Sequence, residues 1–292
     1  MKVAGFSFIR NALQYDYPIV EAIQSVLPLC DEFIVAVGQS DDDTLGLIQA
    51  IGSDKIKIVH TVWDDTAREG GRVLAQETDK ALTAISPDAD WAFYIQGDEV
   101  LHEKYIPVVR EAMQKYLTDE RVDGLLFHYL HFYGSYRYGG DSPRWYRREI
   151  RVIRNTGEVV AYRDAQGFRT RANRKLNVRQ IAAYIYHYGW VKPPEKQKSK
   201  ISNFNRYWHS DEQMQAVGQE ADAFDYSQAD SLALFTGTHP AVMQTRIAAS
   251  NWTFDFDTRR KRYSLRFRFL NFVEKLTGWR MGEYKNYIRL RD

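Results

Sequence analysis

Over its first 130 residues the chain switches repeatedly between two hydrophobic periods, and this switching restricts its fold more than any other feature. Val3 to Ile9 reads as a buried strand, closed by the polar pair Arg10-Asn11. Pro18 suits a first helical turn, and Ile19, Ala22, Ile23, Val26 and Leu27 then recur at i, i+3, i+4, i+7 and i+8, one helical face. Phe33 to Val37 is a second strand ending at Gly38, and Asp41, Asp42, Asp43 and Thr44 offer N-caps for a short helix that stops near Ile51-Gly52. Ile56 to Val59 makes a third strand, Arg72 to Ile85 a helix, and Trp91 to Ile95 a fourth strand. A helix over Tyr105 to Tyr116 and a strand over Gly124 to Leu130 complete the pattern.

Strands and helices alternating at this spacing predict an α/β fold, with a mostly parallel central sheet covered by helices on both faces. Ligands of such sheets bind outside the carboxyl ends of the strands. The segments there are Ile9 to Asn11, Gly38 to Asp43 (including Gln39), His60 to Gly71 and Gln96 to Glu99, all polar or glycine-containing. Residues 131–190 are crowded with Tyr, Arg, Gly and Trp and read as short strands and long loops. From Pro193 onward a helical, aromatic-rich extension is expected to pack on the preceding part.

Composition narrows the function classes. A net charge of only +2 gives no global field for nucleic acid. Cys30 is the only cysteine, which excludes an intrachain disulfide and a thiolate metal cluster and favours a reducing compartment. The opening stretch lacks the apolar core and cleavage site of a signal peptide, and no run approaches the ~20 apolar residues that span a bilayer. A soluble, cytoplasmic protein is the expectation.

The sharpest chemical feature is Gln96-Gly97-Asp98-Glu99, where an apolar strand runs directly into paired carboxylates. A divalent cation on a diphosphate needs one or two protein carboxylates and takes its other ligands from phosphate and water. Asp98 meets that need, with Glu99 as a second ligand or a brace; the competing reading is that either residue caps a helix starting near Leu101.

Residues 1–100 resemble family 2 glycosyltransferases with the GT-A fold, through Phe6 to Asn11, the helix Ile19 to Leu27, Phe33 to Val37 with its following Asp cluster, and the strand ending in Gln96 to Glu99. The resemblance implies a nucleotide-sugar-binding part (1–100) and an acceptor side (101–190) in one catalytic domain (1–190), with 191–292 as the extension. It further implies transfer of a sugar, with inversion, from a nucleotide-diphosphate donor to a glycan, polysaccharide or lipid-linked hydroxyl. The family's strand-four motif is a DxD or a variant, its last Asp on Mn²⁺ or Mg²⁺; here Gln96 replaces the first Asp and Asp98 matches the last. Ala12 stands where the family often has Glu.

On the same analogy Arg10, Asn11, Gln39, Asp41 and Asp43 lie where the nucleoside is held, although acidic residues at a helix start also complement its dipole. Arg68 and Arg72 flank Gly70-Gly71, where cations and backbone NH groups meet phosphates, or are solvated surface arginines. His187 resembles the histidine with which many GT-A enzymes complete the metal site; a packed histidine among aromatics is the alternative. Lys192, Lys196, Lys198 and Lys200 form a polar segment that suits a mobile basic loop over the diphosphate, and Lys198 is taken as a donor contact. Asp164 is the first choice for general base and Asp141 the second, against the reading of Asp164 as a turn carboxylate pairing Arg163 or Arg169.

Trp145 and Trp190 suit sugar faces, and Arg144, Arg147, Arg148, Arg151 and Arg154 form a basic stretch that fits a solvated sheet or an acidic acceptor equally. Residues 258–276 combine a basic face with an apolar one, which reads as a peripheral membrane contact at the inner membrane face or as a helix packed on its own domain. No GxxxxGK[ST] run exists, which excludes a P-loop NTPase. A non-catalytic carbohydrate- or nucleotide-binding protein on the same fold is the principal rival.

Overall fold

The computed structural model describes residues 1–64, 66–67, 69–207, 223–259 and 261–291, so Arg68 lies outside the described residues. The first half follows the alternation: β1 (Val3–Ile9), α1 (Ile19–Val26), β2 (Glu32–Gly38), α2 (Thr44–Gln49), β3 (Ile56–Thr61), α3 (Arg72–Thr83), β4 (Trp91–Tyr94), β5 (Glu99–Leu101) and α4 (Ile106–Lys115). The second half is strand-rich, with β6 (Gly124–Tyr133), β7 (Ser135–Gly140), β8 (Arg148–Arg154), β9 (Val159–Tyr162), β10 (Gly167–Thr170) and β11 (Leu176–Trp190). After it come α5 (Pro194–Asn205), β12 (Leu232–Leu234), α6 (Gln244–Ala248), α7 (Leu265–Thr277) and β13 (Tyr287–Arg289).

β3-β2-β1-β4 are parallel neighbours, in the registers Val35↔Ile58, Phe6↔Ile34 and Phe6↔Tyr94. β8 then runs antiparallel to both β4 and β6, and β6 pairs β11 in parallel. The sheet is therefore parallel over β3-β2-β1-β4 and mixed on the other half. Strand residues alternate between two cores: Phe33, Val35 and Val37 pack with Ile19, Ile23 and Val26 of α1 and Met113 of α4, whereas Ile34 and Ala36 pack with Val73, Leu74 and Ala81 of α3. Burying both faces of a strand is what produces its near-continuous apolar run.

The last hundred residues are tied into the same sheet. β12 pairs β7, β13 pairs β11, and Tyr226, Leu232 and Met243 lie in buried clusters with β6 and β11 aromatics. The segment expected to be a basic loop is the helix α5, opened by Pro193 at the N-cap and Pro194 in the first turn. Proline is tolerated there because the NH it lacks has no helical partner.

Three arginines of the basic stretch are structural, whereas Arg144 is exposed. Arg151 is fully buried on Glu99, Arg147 binds Glu274 and Glu283, and Arg154 donates to the carbonyls of Tyr116, Leu117, Asp119 and Val122.

Candidate active site

A cavity of about 290 Å³ opens at the carboxyl ends of β1 and β4. Arg10, Asn11, Gln96, Asp98, Asp164 and His187, all singled out in the sequence, line it together. Trp145 and Trp190 form part of its wall. Gln39, Asp41, Asp43, Arg72, Lys198 and Asp141 are not among its described lining residues.

Asp98 follows β4, in the turn that leads into β5. Its backbone carbonyl accepts a hydrogen bond from Tyr188 NH at 2.8 Å, which fixes the turn against β11. Glu99 to Leu101 is strand, and the helical turn at Glu103–Tyr105 is capped by His102, so neither Asp98 nor Glu99 caps a helix. β11 lies between β5 and β6, and the registers His187↔Glu99 and His187↔His131 bring His187 to the same spot. His187 Nε2 stands 3.8 Å from Asp98 Oδ2.

The tautomer of His187 follows from its neighbours. His131 Nε2 lies 2.8 Å from the carbonyl of Tyr146, which can only accept, so that nitrogen carries the proton. Burial holds both imidazoles below their ordinary pKa, His131 well below, and a neutral His131 therefore presents a lone pair at Nδ1. His187 Nδ1, 3.2 Å away, must be the donor, which leaves the Nε2 lone pair directed toward Asp98. The chain Tyr146 carbonyl–His131–His187 thus fixes the ring as a second-shell partner fixes a ligating histidine.

Asp98 and His187 are donors of the kind a divalent cation takes, but among the described residues no group of three or more His, Cys, Asp or Glu side chains is gathered to hold one. One carboxylate and one imidazole lone pair border the same space, and Gly189 keeps it open, because a Cβ there would lie 2.6 Å from both Asp98 Oδ2 and His187 Nε2. Lys200 of α5 shares the position, its ammonium 2.9 Å from Asp98 Oδ2 and 2.9 Å from the Gly189 carbonyl. Burial raises the Asp98 pKa, but the Lys200 ammonium outweighs it and holds the carboxyl well below its usual range.

Glu99 is a brace. Its two oxygens receive Arg151 Nε and Nη2 at 2.7 Å each, with both side chains at 0% exposure, and Tyr129 OH adds a bond of 2.5 Å. Arg151 Nη1 continues to the Gln166 carbonyl at 3.1 Å, and Gln96 Nε2 reaches the Ala165 carbonyl at 3.3 Å. The loop bearing Asp164 is thereby stitched to the end of β4. Arg163 and Ala165 on either side of Asp164 have φ of 57° and 61°, a left-handed backbone that costs a residue with a Cβ roughly 1–2 kcal/mol. Burial raises the Asp164 pKa against its local backbone hydrogen bonds. Among the described residues neither Arg163 nor Arg169 forms an ion pair with it; Arg169 instead binds Asn286 and Asn173.

On the β1 side, Arg10 lies over the Trp63 ring at 5.6 Å, and Trp63 packs on Phe8 and Tyr207. Asn11 and Asp41 bond each other reciprocally, at 2.8 Å from Asp41 NH and 3.1 Å from the Asn11 amide, so Asp41 positions Asn11 from outside the lining. Asp43 caps α2 through Gly46 NH at 3.1 Å. Gln39 and Arg72 are exposed. Asp141 is held by Lys261 at 2.7 Å and by Ser231, outside the cavity lining. Lys198 gives way to Lys200 by helical phase: Gln197, Lys200, Ile201 and Phe204 face the cavity at i, i+3, i+4 and i+7, a stripe that omits position 198.

His131, Trp63 and Tyr207 were not singled out in the sequence. His131 carries no local signal, because its partner lies 56 residues away across the β6–β11 ladder.

No family model matches the chain, and no curated protein does. Among solved structures it is similar to a glucosyl-3-phosphoglycerate synthase from Mycobacterium tuberculosis in complex with Mn²⁺, UDP and phosphoglyceric acid, at 20% identity over 44% of this chain and 43% of that one, with a TM-score of 0.31. It is also similar to S. aureus TarS in complex with UDP, at 12% identity over 71% of this chain and 65% of that one, with a TM-score of 0.40. The chain thus spans less than two thirds of either. Likeness at this level carries no argument about activity.

Proposed function

We propose that the chain is a glycosyltransferase that moves a sugar from a nucleoside-diphosphate donor to a hydroxyl acceptor, with inversion at the anomeric carbon. The observation that carries this reading is the meeting of Asp98, His187 and Asp164 in one cavity at the carboxyl ends of parallel strands. Asp98 and His187 would hold a divalent cation, whose chemistry is to offset negative charge on the departing diphosphate. The imidazole ligand favours Mn²⁺ over strict Mg²⁺.

This chain's own groups do the rest. Arg10 with Trp63, and Asn11 oriented by Asp41, offer a stacking surface and hydrogen bonds to a nucleoside. Lys200 places a fixed positive charge beside Asp98, where the diphosphate would lie. The acceptor oxygen bonds to the anomeric carbon as the bond from that carbon to the phosphate oxygen breaks, its electron pair leaving with the nucleoside diphosphate. The acceptor proton passes to Asp164, whose burial makes it a stronger base than a surface aspartate. Trp145 and Trp190 suit a glycan or lipid-linked sugar as acceptor.

A second reading, a non-catalytic nucleotide- or carbohydrate-binding protein, is favoured by Lys200 occupying the carboxylate that would take the cation. Donor turnover separates the two. Asp98→Ala is expected to abolish sugar release from UDP- or GDP-sugars while leaving the fold intact. Asp164→Asn is expected to lower transfer yet keep nucleotide affinity. A wild-type protein that binds nucleotide but never turns over donor supports the second reading and sinks the first.

A further inference from the structure

Helix α7 (Leu265–Thr277) turns its apolar side away from the protein. Leu265, Phe269, Phe272 and Leu276 are 84%, 58%, 61% and 69% exposed, and no described residue of the helix is buried. At about 100° per residue these four side chains fall within an arc of roughly 60°, and exposed Trp279 follows the left-handed Gly278 that ends the helix. Arg266 flanks the arc on one side, Arg268 and Lys275 on the other, and all three are exposed. The only acidic residue of the helix, Glu274, points inward to Arg147 at 2.9 Å and Arg280 at 2.8 Å. The outward face is therefore apolar, bordered by cations and free of carboxylates.

We infer that α7 is a docking face for an anionic lipid bilayer. An apolar stripe between arginines and lysine matches an interfacial helix, whose stripe enters the acyl boundary while its basic flanks meet lipid phosphates. A second copy of the chain fits poorly, since a two-fold contact through this stripe would bring like-charged flanks together. Spanning is not at issue: no helix among the described residues is long and apolar enough to cross a membrane.

The face also has a place relative to the cavity. Arg280, bonded to Glu274 of α7, donates to the carbonyl of Trp145 at 2.5 Å, and Trp145 lines the cavity. A docked helix would hold that aromatic wall beside the lipid surface. The docking itself does not depend on the activity proposed above.

The test is flotation of the full chain with vesicles of phosphatidylcholine alone or with one third phosphatidylglycerol. Binding is expected only with the anionic vesicles, and is expected to fall at least tenfold in 0.5 M salt. Phe269→Ser with Phe272→Ser is expected to lower it at least tenfold too. Both side chains are exposed, so the variant should keep its circular dichroism and thermal midpoint. Arg266→Glu with Arg268→Glu provides an independent variant with the same expectation. Failure to bind anionic vesicles, or binding untouched by both double variants, overturns the inference. So does a dimer in light scattering that the Phe269/Phe272 variant dissociates, which would assign the stripe to a second copy.

Discussion

Glu99→Gln is the change that reports most directly on how the two candidate catalytic loops are held together. In the native protein the Arg151 guanidinium gives two bonds of 2.7 Å to Glu99, and both side chains are wholly buried. Glutamine keeps the shape and one accepting oxygen but removes the negative charge, leaving a buried cation. Breaking one side of such a pair costs roughly 3–5 kcal/mol, and the retained acceptor places this variant near the lower end, at about 3 kcal/mol. Arginine cannot escape by losing its proton, but Glu149 beside it can ionise, so the deficit should be largest near pH 6 and shrink toward pH 9. Urea denaturation followed by tryptophan fluorescence measures it, and the thermal midpoint should drop by about 5 °C. Glu99→Leu combined with Arg151→Met removes both charges and should recover most of the loss. A single-variant loss under about 1 kcal/mol, or a double variant as unstable as the sum of the singles, would refute the brace.

Three further outcomes are expected. His131→Phe should free His187 Nδ1, so that long-range ¹H–¹⁵N spectra, showing one Nδ1-protonated tautomer in the native protein, show a mixture in the variant; Mn²⁺ affinity should fall about 10–100-fold. In the native fold Asp98 is held low, so its contribution to stability is present above the unfolded carboxyl value and is lost as pH falls through the folded one. Lys200→Met removes the main group holding it low and should raise the acid limb of a urea-stability profile, whereas profiles that superimpose from pH 3 to 7 would contradict the pairing. Burial pushes Glu149 up to about 8 against the pull of Arg151, so the folded chain keeps a proton there that the unfolded chain has lost. Stability from that site falls as pH rises between the two values. Glu149→Gln should flatten the fall, gaining on the order of 2 kcal/mol relative to native between pH 5 and 7.5, and equal slopes would count against it.

How much was legible in the sequence depended on how local each signal was. β1 to β4 could be read because strands buried on both faces are continuously apolar, while α1 shows its face at helical spacing. β5 could not, since three residues carry no period, and its absence made a helix cap at Asp98 or Glu99 look plausible. Arg151 read as a solvated or acceptor-facing charge because its partner Glu99 is 52 residues away and only the β4–β8–β6 pairing joins them. Within α5 the lysines were legible but not which of them faces the cavity, as that turns on helical phase in a segment read as a basic loop. Asp164 was legible as a polar turn; its left-handed neighbours Arg163 and Ala165 were not, because neither residue type advertises that conformation.

The central claim is that Asp98 anchors a cation on a nucleoside diphosphate. Calorimetry of UDP and GDP, each with and without Mn²⁺, on the native chain and on Asp98→Ala tests it most directly. One nucleotide should bind the native chain at least tenfold more tightly with Mn²⁺ than without, and Asp98→Ala should erase that difference while its thermal unfolding stays cooperative. Affinity that ignores Mn²⁺ in the native chain, or a Mn²⁺ effect that survives in Asp98→Ala, contradicts the account.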